Sequence, residues 1–199
     1  ITSNGAAVWD LGSDPLGAVY SRYASAAERR TSEPACLLRR LMPAETARKA
    51  FALFQQYDGE LSVFSDGLCI KTPEGIAKLE ARRAQFLSTE AKQSTTDGRF
   101  TVVQGNESWM ARHAGEIEKL CMFFDSKEKA QDVMPLFLAM PGVEVVQGSP
   151  DNLEVTAAGV DKGEALLALA DRLGIPHEQT MAVGDSGNDR AMLEKAGIA

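Results

Sequence analysis

The chain has 199 residues, enough to bury a real core in one or two domains. Its apolar fraction of 44 % is ordinary for a globular protein, no apolar run is long enough to span a membrane and no signal peptide is visible. A net charge of −7 argues against nucleic acid as a partner, but not against an anionic small molecule, because one metal ion and one lysine can set the local field.

In chain order, the first well-signalled element is a helix over 43–57, with Pro43 at its start and Asp58-Gly59 as its stop. Residues 60–65 and 68–71 read as paired strands, with Asp66-Gly67 as the hairpin turn between them. A charged amphipathic helix follows over 73–87, and 92–99 is polar with turn character. Residues 100–104 read as a short strand and 106–114 as a helix. Residues 117–124 read as a strand, with a helical alternative left open. A helix over 126–140 contains Pro135, which predicts a kink or a break. Strands at 143–147 and 152–156 complete a block in which strand pairs alternate with helices, the pattern of an α+β layer with helices on one face of a sheet. No internal repeat and no low-complexity segment interrupts it.

The last quarter has a different texture. Asp161 is an N-cap candidate for a helix over 164–173 that stops at Gly174. Lys162 sits in its first turn, where the helix end is already positive, so a phosphate or a carboxylate cluster is expected nearby. Met181-Ala182-Val183 reads as a buried parallel strand. It ends in the loop Gly184-Asp185-Ser186-Gly187-Asn188-Asp189, and an amphipathic helix over 190–195 follows. Oxygen ligands suit a hard cation and a helix N-terminus suits a phosphate, while Gly184 and Gly187 let the backbone approach both. The segment therefore reads as a Mg²⁺–phosphate site. Cys36, Cys69 and Cys121 are odd in number, far apart and without CxxC spacing, which fits buried free thiols in a reducing cytoplasm.

Three stretches together resemble the haloacid dehalogenase-like phosphatases, in particular the Cof-type sugar-phosphate phosphatases. They are Ile1-Thr2-Ser3-Asn4-Gly5-Ala6, residues 153–173 and residues 180–199. The resemblance implies an α/β protein: an incomplete doubly wound, Rossmann-type core over 1–13 and 154–199, with an α+β cap domain over 14–153 inserted in it. The site is expected at the carboxyl ends of the core strands, with the cap as a lid that excludes water and selects the leaving group. The family's nucleophile and general acid/base are the two aspartates of an Asp-x-Asp-Gly-Thr loop near the N-terminus. No Asp-x-Asp occurs in this chain, and Phe64 stands where Asp66-Gly67-Leu68 would need the upstream aspartate. The chain is therefore expected to be an internal piece of a longer phosphatase, with the nucleophile upstream.

The resemblance also implies roles for individual residues, each with a plainer alternative. Asp185 would ligate Mg²⁺; otherwise it is a turn aspartate. Asp189 would belong to the metal shell, directly or through water, and is otherwise a first-turn acid favoured by the helix dipole. Ser186 would face the metal or only shape the turn. Lys162 would pair with the phosphoryl group or the nucleophile, and is otherwise a solvated lysine. Asn188 would touch the phosphate or the nucleophile loop, or cap a helix. Asn4 would stand near substrate where cap and core join, or simply precede a turn glycine.

Gly184-Asp185-Ser186-Gly187 also matches the nucleophile loop of chymotrypsin-like serine proteases, with His113 and His177 as the candidate bases. Alternating helices and strands and three lone cysteines speak against that class. The favoured expectation is a Mg²⁺-dependent phosphatase acting on small phosphorylated metabolites such as sugar phosphates, through an aspartyl-phosphate, with neither nucleic acid nor membrane as a partner. A non-catalytic phosphate-binding module and an inactive fragment are the alternatives. Arg39, Arg40, Arg82 and Arg83 could pair with an anionic substrate, although exposed surface arginines are the commoner explanation.

Overall fold

The computed structural model describes residues 1–10, 35–86 and 100–199. The expected junction at Asp14, the helix end at Leu87 and the polar stretch 92–99 lie outside the described residues. Near the start, β1 (Ala7–Asp10) and β2 (Ala35–Arg39) pair as an antiparallel ribbon. The larger sheet has six strands: β3 (Glu60–Ser65), β4 (Leu68–Lys71), β5 (Thr101–Val102), β6 (Ile117–Phe123), β7 (Val143–Val146) and β8 (Asn152–Ala157). Their order is β5-β4-β3-β6-β8-β7, and every pair is antiparallel except β4 with β5. Asp66 and Gly67 join β3 to β4 with φ of 52° and 69°, the two left-handed residues that a type I′ hairpin turn requires.

Period-two alternation divides this sheet into two unlike faces. Leu61, Val63, Leu120, Met122, Leu153 and Val155 form the apolar face and are buried. Helices α1 (Ala44–Phe54) and α4 (Lys127–Leu138) close the core over it. There the rings of Phe54 and Phe137 meet at 4.3 Å between centroids, tilted by 40°. The opposite face carries Glu60, Ser62, Lys119, Asn152 and Glu154, polar yet also buried. Helix α2 (Pro73–Phe86) lies against one end of it, where the Arg82 guanidinium stands 3.8 Å from the Phe123 ring centroid. Helices therefore flank both faces rather than one. The polar face gives the sequence pattern of a solvated side, and its burial arises from contacts that this pattern does not announce.

Pro135 does not break its helix, which runs on through the proline. Pro135 and Gln131, whose carbonyl the proline cannot pair, are both exposed residues. β5 is limited to two residues, and helix α3 (Asn106–His113) passes into a 3-10 turn over Ala114–Glu116. Cys69 and Cys121 are buried free thiols, with burial pushing the Cys121 thiol up to about 12, but Cys36 is exposed on the ribbon rather than buried.

The C-terminal part is built on α5 (Lys162–Leu173) and α6 (Arg190–Lys195). The Asp161 carboxylate caps α5 by accepting the Glu164 N–H at 2.7 Å, and the helix ends at Gly174. Met181 makes a parallel bridge to Ile198. The expected burial of 181–183 holds only for Ala182, since Met181 is 67 % and Val183 78 % exposed. Pairing occurs on one side only, and no other strand among the described residues covers the outward side chains.

Two substitutions test this packing. Phe137→Ala deletes a fully buried ring and is expected to cost about 3–5 kcal/mol, lowering the melting temperature on the order of 10 °C. Gly163 lies against the Ala191 carbonyl, which a Cβ would overlap. Gly163→Ala should therefore destabilise by roughly 1–3 kcal/mol, although the same change in an open helix is stabilising. A rise in denaturation midpoint for that variant would contradict the close approach of α5 to α6.

Candidate functional site

The first turn of α5 meets the loop at 184–189. Lys162 Nζ donates to Asp189 Oδ1 at 2.5 Å and to Asn188 Oδ1 at 3.1 Å. The carboxylate expected beside this helix start is therefore Asp189, which offsets a cation placed at the positive end of a helix. The Lys162 hydrogen bond holds the Asp189 carboxyl down at about 2. Behind Lys162, the Lys195 ammonium pairs with Asp161 at 3.0 Å and with Glu164 at 2.7 Å, fixing α6 to the same helix end.

Asp189 also organises its own loop. Its Oδ2 accepts from Ser186 Oγ at 3.0 Å and from the backbone N–H groups of Asp185 and Ser186, each at 3.3 Å. Ser186 and Asp189 thus form a capping box around a 3-10 turn over Gly187–Asp189. Gly184 packs directly on the Asp189 side chain, and a Cβ at 184 would overlap it. The result leaves Asp185 in a distinct position. It is exposed, and among the described residues its carboxylate has no hydrogen-bond or ion-pair partner.

The N-terminal segment forms the next wall. Ser3 and Asn4 are both left-handed, with φ of 50° and 57°. Asn4 is buried and donates from Nδ2 to Glu154 Oε2 at 2.5 Å, while Ser3 Oγ donates to Glu118 Oε2 at 2.8 Å. Burial alone would raise the Glu154 carboxyl. The Lys119 ammonium and hydrogen bonds from Asn4, Lys119 and Asn152 outweigh it and hold the carboxyl below its usual range. Asn4, Lys119, Lys162 and Asp189 line one cleft of about 320 Å³. That is at the small end of pockets that take metabolite-sized ligands.

The structure thus gathers Lys162, Asn188, Asp189 and Ser186 into one hydrogen-bonded set, with Asn4 and Lys162 lining one cleft and Asp185 exposed at the loop's start. Sequence reasoning missed Lys119 and Glu154. Their signal was faint: ionisable residues in strands, on the face that alternation assigns to solvent, and brought together only by strand pairing, with Glu154 opposite Cys121 and Lys119 diagonal to it. Of the arginines, Arg39 pairs with Asp66, Arg40 donates to the Gly159 carbonyl and Arg82 pairs with Asp151. The protease-like match fails on geometry. Ser186 Oγ bonds to Asn188 and Asp189, whereas His113 pairs with Glu116 and His177 with Asp171.

Among the described residues no three His, Cys, Asp or Glu side chains gather as a metal cluster, and no helix is long and apolar enough to cross a membrane.

Comparison with known proteins identifies the family. The family of haloacid dehalogenase-like hydrolases matches residues 31–199. An HMP-PP phosphatase of Escherichia coli is 28 % identical over 159 residues, covering 78 % of this chain and 52 % of its own length. The 5-amino-6-(5-phospho-D-ribitylamino)uracil phosphatase of Bacillus subtilis is 45 % identical over 56 residues, which are 28 % of this chain and 22 % of that protein. Among solved structures, a haloacid dehalogenase-like hydrolase from B. subtilis superposes with a TM-score of 0.70 at 20 % identity, over 98 % of this chain and 65 % of that one. This chain spans about half the length, or less, of the curated relatives it matches. With the family match running over residues 31–199, most of the chain and both α5 and α6, the chain belongs to the haloacid dehalogenase-like hydrolases.

Proposed function

We propose that this chain carries the metal- and phosphate-binding part of a phosphatase for small phosphorylated metabolites, sugar phosphates among them. The observation that carries this reading is the meeting of Lys162, Asn188 and Asp189 beside a loop whose Asp185 carboxylate has no partner among the described residues. The phosphatase names of the Escherichia coli and Bacillus subtilis relatives support it.

The donor chemistry fits Mg²⁺. The loop's side chains offer oxygen ligands, and Asp185 is an exposed carboxylate with no partner among the described residues. Asp185 would be the direct ligand. Asp189, whose two oxygens already take Lys162, Ser186 and loop amides, would act behind it through water. When bound, the ion supplies charge that offsets the repulsion between an anionic nucleophile and a phosphate. The remaining work belongs to the chain's own side chains. Lys162 would neutralise charge on the phosphoryl oxygens, preorganised for that by Asn188 and Asp189. The Asn188 amide NH₂ is available for a phosphoryl oxygen because its Oδ1 is the atom taken by Lys162 and Ser186. The covalent step to an aspartyl-phosphate needs an Asp-x-Asp loop that this chain does not contain.

In this reading the six-stranded sheet with its helices is the cap and α5, α6 and the 184–189 loop belong to the core. β8 stays in the sheet to Ala157, so the second junction is drawn after that strand, at Ala158-Gly159, rather than at Leu153. Three free cysteines suit a reducing, cytoplasmic setting.

The tests use the intact protein and a phosphomonoester assay. Asp185→Asn is expected to weaken Mg²⁺ binding and to lower turnover at least ~100-fold, the scale of losing one charge-stabilising group. Unchanged kinetics would take Asp185 out of the site. Lys162→Ala should lower kcat/KM by a similar factor, roughly 100-fold, with the fold retained by circular dichroism. Lys162→Arg should recover only part, because a planar fork does not replace a compact ammonium. If Lys162→Ala melts many degrees lower yet keeps its specific activity, the lysine is structural only.

A further inference from the structure

β6 contains a bulge beside the cleft. Phe64 and Ser65 of β3 stand opposite Lys119 and Ile117, leaving Glu118 as the extra residue. Bulges re-aim neighbouring side chains. Here Glu118 is fully buried and accepts from Ser3 Oγ and from the Gly67 N–H at 3.1 Å. Lys119, next to it, keeps to the polar face of the sheet. Its Nζ lies 4.6 Å from the Phe64 ring centroid and donates to Glu154 Oε2 at 3.1 Å.

Two lysines therefore line one cleft, Lys162 from α5 and Lys119 from the sheet. They are engaged differently. Lys162 donates to both Asn188 and Asp189, whereas Lys119 has one hydrogen-bond acceptor among the described residues and an ammonium carries three donors. That acceptor is shared, since Glu154 also takes hydrogen bonds from Asn4 and Asn152. A cation with unused donors, held at the wall by an aromatic face and a carboxylate, is preorganised for an anion entering the cleft.

We infer that Lys119 is a specificity-determining residue that binds a second anionic group, a carboxylate or a phosphate, on a phosphomonoester whose phosphoryl group lies against Lys162. The inference rests on the phosphatase reading for the placement of that phosphoryl group, but its test does not depend on turnover.

Three non-hydrolysable probes separate the two lysines by titration calorimetry on the intact protein with Mg²⁺. Methylphosphonate offers one anionic group, phosphonoacetate adds a carboxylate, and methylenediphosphonate adds a second phosphonate. The wild type should bind at least one two-headed probe ~10-fold or more tighter than methylphosphonate, the scale of one charge-assisted hydrogen bond. The better of the two tells whether carboxylate or phosphate is preferred. Lys119→Met should bring that ratio close to one while leaving methylphosphonate affinity within about threefold, and Lys119→Arg should keep part of the preference. Because Lys119→Met strands the Glu154 carboxylate, the double variant Lys119→Met/Glu154→Gln is measured beside it; it removes both charges and keeps an acceptor for Asn4. A ratio near one in the wild type, no binding of any probe, an unchanged ratio in both variants, or equal weakening of all three probes overturns the inference. Absence of hydrolysis of every phosphomonoester, with the ratio and its loss as described, would instead overturn the phosphatase reading and leave Lys119 as an anion-binding residue.

Discussion

The ion pair between Lys162 and Asp189 is the contact on which the C-terminal part depends. It joins the start of one helix to the loop before another across 27 residues of sequence. A surface pair of this kind would contribute little, because solvent screens it and ordering two side chains costs entropy. This pair differs because Asp189 is buried and tied to three further donors, while Lys162 is half-buried. Removing Lys162 would take the cation from Asp189 but leave that carboxylate its three other donors. The same geometry explains the glycines around it. Backbone must pass directly against Asp189 at Gly184 and against α6 at Gly163, and a side chain at either position would push the two apart.

The large sheet follows another logic. Its apolar face is a conventional core, but its polar face buries ionised groups in pairs: Lys71 with Glu60, and Lys119 with Glu154. Such pairs seldom add much net stability, because desolvation takes back most of the Coulombic gain. Lys71 also donates to Ser62 at 2.7 Å, whereas Glu60 Oε2 has no hydrogen-bond partner among the described residues. A face built only for stability would carry apolar residues of the same size. The better account of its polarity is that part of this face is a wall of the cleft, where charge has a use that burial energy does not reward.

Local signals in the sequence carried far. The Asp66-Gly67 turn, the Asp161 cap and the stop at Gly174 each rest on a few neighbouring residues, and each appears with the expected geometry. The polar run from Asp185 to Asp189 was legible as oxygen donors because it follows a short apolar stretch and precedes a helix. Less legible was anything that required pairing across the sheet. Nothing local says that Lys119 will reach Glu154 on the neighbouring strand, or that Asn4 will reach Glu154 from 150 residues away. The exposure of Met181 and Val183 was also misread, since an apolar triplet predicts burial whether or not strands exist on both sides of it. Pro135 is a breaker that this helix accommodates without ending, at an exposed position.

Residues Ser3 and Asn4 connect the N-terminal turn to the large sheet. Non-glycine residues in the left-handed region cost on the order of 1 kcal/mol each, so two in succession need a compensating contact. Each has one, a buried carboxylate on the large sheet: Glu118 for Ser3 and Glu154 for Asn4. Hydrogen bonds to charged acceptors contribute roughly 1.5–3 kcal/mol, enough to offset the strain. The turn is thereby held to the sheet through the same carboxylate that orients Lys119. Any shift of the sheet relative to α5 must then stretch the Asn4–Glu154 hydrogen bond or carry residues 3–4 with it, and either movement changes the cleft between Lys119 and Lys162.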